Sequence, residues 1–234
     1  MKKLLACVFL SGAFFQLRTA TIFYDSFNYS PAGAQLSSAG SPSWVLRPAG
    51  VTVDPKIISG SLSYPGLQTA SGDNSVVFDG TGAAGVASRQ LGQIYNISNA
   101  PALYYSLTFQ VSSITAADWG GAANFLTGSF MMGFNSDTTA AVGQGNTAAP
   151  LLIRTGDPNN VSGTANDFPS FQLGTGITAT SPGSRVFDGA HNYDAGTTLF
   201  LVLSYTFGPS AADDTARLFV NPIPGSLESA RACL

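Results

Sequence analysis

The chain has 234 residues, of which 44% are hydrophobic and only 10% charged, with a formal net charge of −3. Ten basic against thirteen acidic residues form no basic stripe to neutralise phosphates, which excludes a nucleic-acid partner and disfavours anionic membrane surfaces. After residue 20 there is one lysine (Lys56), one histidine (His191) and one glutamate (Glu228). Proton transfer draws mostly on His, Glu, Asp and Lys, and helix surfaces on Glu, Lys, Gln and Arg, so this scarcity argues against most enzyme mechanisms and against a helical protein.

Met1-Lys2-Lys3, an apolar run from Leu4 to Phe15 and polar residues reaching Ala20 are the parts of a secretory signal. The run is too short for a bilayer, which needs about 20 apolar residues. Residues 1–20 are therefore expected to be a signal peptide, which places the protein outside the cell or on its surface with no transmembrane segment. Loss of Lys2, Lys3 and Arg18 leaves seven basic residues against thirteen acidic ones, a net charge near −6. Cys7 falls in the leader, so Cys233 remains alone; no internal disulfide and no Cys/His zinc cluster can form. Residues 21–234 read as a single domain, since one β-sandwich often spans roughly 200–250 residues.

Weak strand signals come first, at Ile22–Phe27, Val51–Asp54 and Ser75–Asp79. Leu103–Val111 then alternates strictly, with Tyr105, Leu107, Phe109 and Val111 on one face and Tyr104, Ser106, Thr108 and Gln110 on the other. Period-two alternation marks a half-buried strand. Further weak strands read at Ser129–Phe134, Leu151–Arg154, Ser170–Leu173 and Arg185–Phe187. Thr198–Phe207 alternates again, Leu199, Leu201, Leu203, Tyr205 and Phe207 opposing Phe200, Val202, Ser204 and Thr206, before a last strand at Ala216–Val220. Both alternating segments are expected to be central. Turn formers such as Asn135-Ser136-Asp137 and Asp157-Pro158-Asn159-Asn160 separate the strands. An outer-membrane barrel would need alternating segments of roughly ten residues throughout; only two are that long. The pattern predicts an all-β, antiparallel β-sandwich with no helix of ordinary length.

Four phrases carry a family resemblance: Ile22-Phe23-Tyr24-Asp25-Ser26-Phe27-Asn28-Tyr29, Pro150-Leu151-Leu152-Ile153-Arg154, Tyr193-Asp194-Ala195-Gly196-Thr197-Thr198-Leu199-Phe200-Leu201-Val202, and Asp213 to Pro222. Their order and spacing resemble exported bacterial proteins with a concanavalin A-like (laminin-G-like) jelly roll, often of the PEP-CTERM-associated type. The resemblance spans most of residues 21–222 and implies a jelly roll. Members usually continue with a further loop and strand, and Ser226 to Leu234 looks unlike that strand. The copy is expected to lack its last strand, which would leave an unpaired sheet edge.

No catalytic residue is assigned. A glycosidase needs two carboxyl groups about 5 Å or about 6.5–9.5 Å apart. Asp213-Asp214 is the only adjacent acidic pair, and neighbours on a strand point to opposite faces. That pair reads as a polar turn, or with Asp25 as ligands of a structural calcium ion, the one cofactor considered. His191 reads as a solvated loop side chain without a partner, and no Gly-x-Ser-x-Gly elbow accompanies it. Trp119, with Asp118 before it, Gly120-Gly121 after it and Asn124 nearby, is the candidate sugar site: a ring to stack on C–H faces and polar groups for hydroxyls. Trp44 is similar and less well placed. The expected function is that of a non-catalytic exported surface or extracellular protein with a polysaccharide or surface glycan as partner. A carbohydrate-active hydrolase or lyase and a purely structural or adhesive surface protein are the alternatives.

Overall fold

The computed structural model describes residues 21–22, 24–47, 54–68, 72–78, 86–114, 128–135, 147–156, 170–178 and 184–226. Their elements are α1 (Leu36–Ala39), β1 (Val45–Arg47), β2 (Lys56–Ser59), β3 (Asn74–Val77), β4 (Val86–Ser88), β5 (Ala102–Gln110), β6 (Ser129–Asn135), β7 (Thr147–Thr155), β8 (Ser170–Gly176), β9 (Arg185–Phe187), β10 (Tyr193–Asp194), β11 (Thr198–Thr206) and β12 (Thr215–Val220).

The two alternating segments pair with each other. β5 and β11 run antiparallel with Leu199 opposite Phe109, Leu201 opposite Leu107, Leu203 opposite Tyr105 and Tyr205 opposite Leu103. Both apolar faces thus coincide pair by pair, so one register buries both strands; a one-residue slip would expose one of them. β12 adds on the other side of β11, giving a three-stranded sheet β12-β11-β5.

A second sheet runs β10-β8-β7-β6, with β9 also paired to β8. The core lies between the two. Leu151 and Ile153 of β7 and Phe171 and Leu173 of β8 meet Leu199, Leu201 and Leu203 of β11 and Leu218 of β12. Burying each such side chain stabilises the fold by about 1.5–3 kcal/mol. Tyr105, Leu107, Phe109 and Val111 pack against this cluster, and the Phe109 and Phe171 rings meet edge-on at 6.3 Å between centroids. The result is an all-β protein of antiparallel sheets, as expected, with two smaller antiparallel two-stranded pairs, β1–β4 and β2–β3.

Some expectations differ from the structure. β11 is central, whereas β5 ends its sheet among the described residues. Ile22–Phe27 forms no strand among the described residues; the backbone there turns at Phe27, whose φ is +51°. Residues 51–53 lie outside the described residues, and Asp54 is not in a strand. Asp54 is instead 3% exposed, and its Oδ2 accepts the Ser37 N–H at 2.9 Å. It thereby caps α1 from 17 residues away, where the N-cap residue Gln35 makes no side-chain bond. β1, β2, β4 and β10 are short strands without enough alternation to register in sequence. No helix among the described residues is long and apolar enough to cross a membrane.

Candidate functional site at the broken edge of the second sheet

β8 alternates: Phe171 and Leu173 face the core, so Gln172 and Gly174 face the opposite side. Gly174 pairs with Leu152 of β7 along one edge and with Phe187 of β9 along the other. Phe171 likewise lies between Thr155 of β7 and Tyr193 of β10. β9 and β10 are therefore two halves of one edge strand running along β8. Between their register positions the edge strand has five residues, 188–192, where β8 has two, Gln172 and Leu173. The surplus loops out as an enlarged bulge, the device by which a strand re-aims side chains and stops pairing.

Asp188 still belongs to the ladder, its N–H donating to the Leu173 carbonyl at 2.9 Å. Its side chain is 7% exposed, while that of His191 is 63% exposed. Both Asp188 carboxylate oxygens lie 2.8 Å from His191 Nδ1, and the Tyr193 hydroxyl donates to Oδ2 at 3.2 Å. An ionised carboxylate only accepts, so Nδ1 carries the proton in the neutral imidazole. The exposed Nε2 is then left as an acceptor.

A second chain of hydrogen bonds reaches the neighbouring residue from the other face of the sheet. The Arg154 guanidinium lies 4.2 Å over the Phe187 ring and its Nε donates to Gln172 Oε1 at 2.8 Å. Burial holds the Arg154 pKa below its ordinary value. Gln172, 1% exposed, uses its Nε2 to donate to the Gly156 carbonyl at 3.1 Å and to Asn192 Oδ1 at 2.9 Å. Arg154 can only donate and a carbonyl can only accept, so the Gln172 amide has one orientation. Asn192 must therefore offer its oxygen inward, which turns its NH2 group outward.

The crest of the bulge thus presents a fixed acceptor and a fixed donor on consecutive exposed residues. His191, expected to be a solvated side chain without a partner, is held by Asp188. The spacing Asp188-Gly189-Ala190-His191 carries no signal of this by itself. The pair forms because the ladder breaks there and two small residues let the chain fold back.

The expected sugar site, Asp118, Trp119 and Asn124, lies outside the described residues. Trp44 is engaged structurally: its Nε1 donates to Asp25 Oδ2 at 2.7 Å, and its ring lies tilted against Phe27 at 5.8 Å. Asp25, with an 8% exposed side chain, accepts from the Phe27 N–H, the Tyr29 hydroxyl, the Trp44 indole and Arg89 Nη1. Asp213 and Asp214 occupy the β11–β12 turn. Asp213 accepts from the Ser210 hydroxyl at 2.7 Å; Asp214 accepts the Tyr205 hydroxyl at 2.5 Å and the Gly208 N–H at 2.7 Å. Calcium takes six to eight oxygens, whereas these carboxylates are engaged by hydrogen donors and, at Asp25, by a guanidinium. Among the described residues no three His, Cys, Asp or Glu side chains converge as metal ligands. Compared with protein-family models, curated proteins and solved structures, the chain finds no match in any of the three.

Proposed function

We propose that this chain is a non-catalytic, exported β-sandwich protein of the cell surface or extracellular space, and that it binds a polysaccharide or surface glycan. The observation that carries this reading is the crest at His191 and Asn192: exposed polar groups whose roles are set by buried partners, Asp188 and Gln172. Recognition of hydroxyl-rich ligands needs such preset donors and acceptors, because a group already held in place loses little freedom on binding. The scarcity of proton-handling side chains and the resemblance to exported jelly rolls favour holding a glycan over cleaving it. Fold-level analogy supplies part of that argument.

A glycan array combined with a reducing-sugar release assay tests the proposal. Retention on a glycan that weakens in His191→Ala or Trp119→Ala, without release of sugar ends, is the expected result. Silence in both assays would leave the structural or adhesive alternative.

The Asp188–His191 pair also favours a second reading, a carbohydrate-active hydrolase or lyase. A carboxylate that orients an imidazole leaves the far nitrogen able to take a proton. Release of sugar ends by the wild-type chain, lost in His191→Ala, would establish it over simple binding.

A further inference from the structure

We infer that the crest reads the vicinal diol of a neutral sugar, with His191 Nε2 accepting from one hydroxyl and the Asn192 side-chain NH2 donating to its neighbour. This inference rests on the glycan-binding reading and names the ligand chemistry of that same site.

The argument starts from the two buried relays. Asp188 assigns the proton to His191 Nδ1, and Arg154 acting through Gln172 assigns the oxygen of Asn192 to the inside. One outward acceptor and one outward donor follow, on residues whose Cα atoms are about 3.8 Å apart. Asp188 and Tyr193 approach from the core side of the edge strand, and Gln172 and Arg154 from the opposite side.

The chemistry of the ligand follows from this pair of roles. A carboxylate, sulfate or phosphate offers acceptors only and would set lone pairs against His191 Nε2. The exposed Asp194 beside the crest and the net charge of −3 repel such anions as well. An ammonium group offers donors only and leaves the Asn192 NH2 unmatched. A peptide amide has both roles, yet an added peptide gains its affinity by continuing a ladder, and the ladder is interrupted at 188–192. Adjacent hydroxyls, each able to donate and accept, supply one donor and one acceptor at neighbouring carbons.

The test is native affinity electrophoresis of the full chain in gels containing one of three probes. These are a galactomannan, the same galactomannan after periodate cleavage and borohydride reduction, and a linear β-1,3-glucan, whose 3-linked residues carry no vicinal diol. Retardation by intact galactomannan alone is expected. His191→Ala, which removes the acceptor, and Asn192→Asp, which keeps the bond from Gln172 but replaces the outward donor, should each weaken it about tenfold. Melting temperatures close to wild type would show that both variants are folded. Equal retardation by the β-1,3-glucan or the cleaved polymer, or indifference to both substitutions, overturns the diol inference while leaving glycan binding in place. No retention on these polymers or on any glycan of an array overturns the inference together with the reading beneath it.

Discussion

Arg89 Nη1 lies 2.7 Å from Asp25 Oδ2, joining positions 64 residues apart in the chain. The same carboxylate oxygen takes the Tyr29 hydroxyl and the Trp44 indole, and Oδ1 takes the Phe27 N–H. Asp25 is thus the acceptor that ties the first described segment to the residue just before β1 and to the chain just after β4. Removing it takes the acceptor from the Tyr29 hydroxyl and the Trp44 indole and the carboxylate from beside Arg89, whereas removing Arg89 leaves the carboxylate with three donors. Asp25→Ala should cost about 3 kcal/mol and Arg89→Ala about 1 kcal/mol, since deleting the hub of a largely buried pair costs more than deleting one spoke. Urea denaturation of both variants measures this, and a larger loss for Arg89→Ala would refute the assignment of the hub.

Tyr205 and Asp214 predict a loss of stability at alkaline pH. Burial, then the hydrogen bond to Asp214 and its negative charge, raise the Tyr205 pKa above its usual 10.0. In the unfolded chain Tyr205 loses its proton near pH 10, while in the folded chain it keeps it. Above pH 10 the unfolded state therefore binds fewer protons, and stability falls as pH rises. The contribution is fully present below pH 10. Tyr205→Phe cannot ionise, so the stability difference between wild type and variant should shrink steadily from pH 9 to pH 11. A difference independent of pH over that range would show that the hydroxyl is not held as described.

Gly174 is where β9 closes on β8. A Cβ there would sit 2.6 Å from both the Phe187 Cδ1 atom and the Val186 carbonyl oxygen. The carbonyl is backbone in a paired strand and cannot step aside cheaply. Gly174→Ala should destabilise the protein by about 1–3 kcal/mol and loosen the Phe187 ring from Arg154. Thermal unfolding reads the first effect. The second appears as weaker glycan retention than in Gly189→Ala, because a Cβ at Gly189 meets nothing within 4 Å.

Calcium removal should leave the melting temperature unchanged. The carboxylates of Asp25, Asp213 and Asp214 are engaged by hydrogen donors within the protein. Melting curves with excess chelator and with added calcium check this. A rise of several degrees with calcium would overturn this expectation.

The core strands were legible in the residues because burial imposes a period. Tyr105, Leu107, Phe109 and Val111, and Leu199, Leu201 and Leu203, alternate for the plain reason that one face of each strand meets the opposite sheet. Short elements such as β1 and β10, of three and two residues, hold too few positions to show any period. Their neighbours in space hold them extended. Ile22–Phe27 looked like a strand because its residues are apolar and aromatic. There the backbone turns at Phe27, whose φ is +51° and whose N–H donates to Asp25 Oδ1 two residues before it.

Composition and alternation alone decided the all-β class, the identity of the two long alternating strands and the face each one buries, since those depend on local spacing; that the two pair with each other was decided by the fold. The partners of isolated polar residues were decided only when the chain folded. Asp188 with His191, Gln172 with Asn192, Arg89 with Asp25 and Asp54 with α1 are each a single donor or acceptor meeting another. Such meetings have no period and leave no mark in sequence. They are set by which edges and loops the packed sheets bring within about 3 Å of each other.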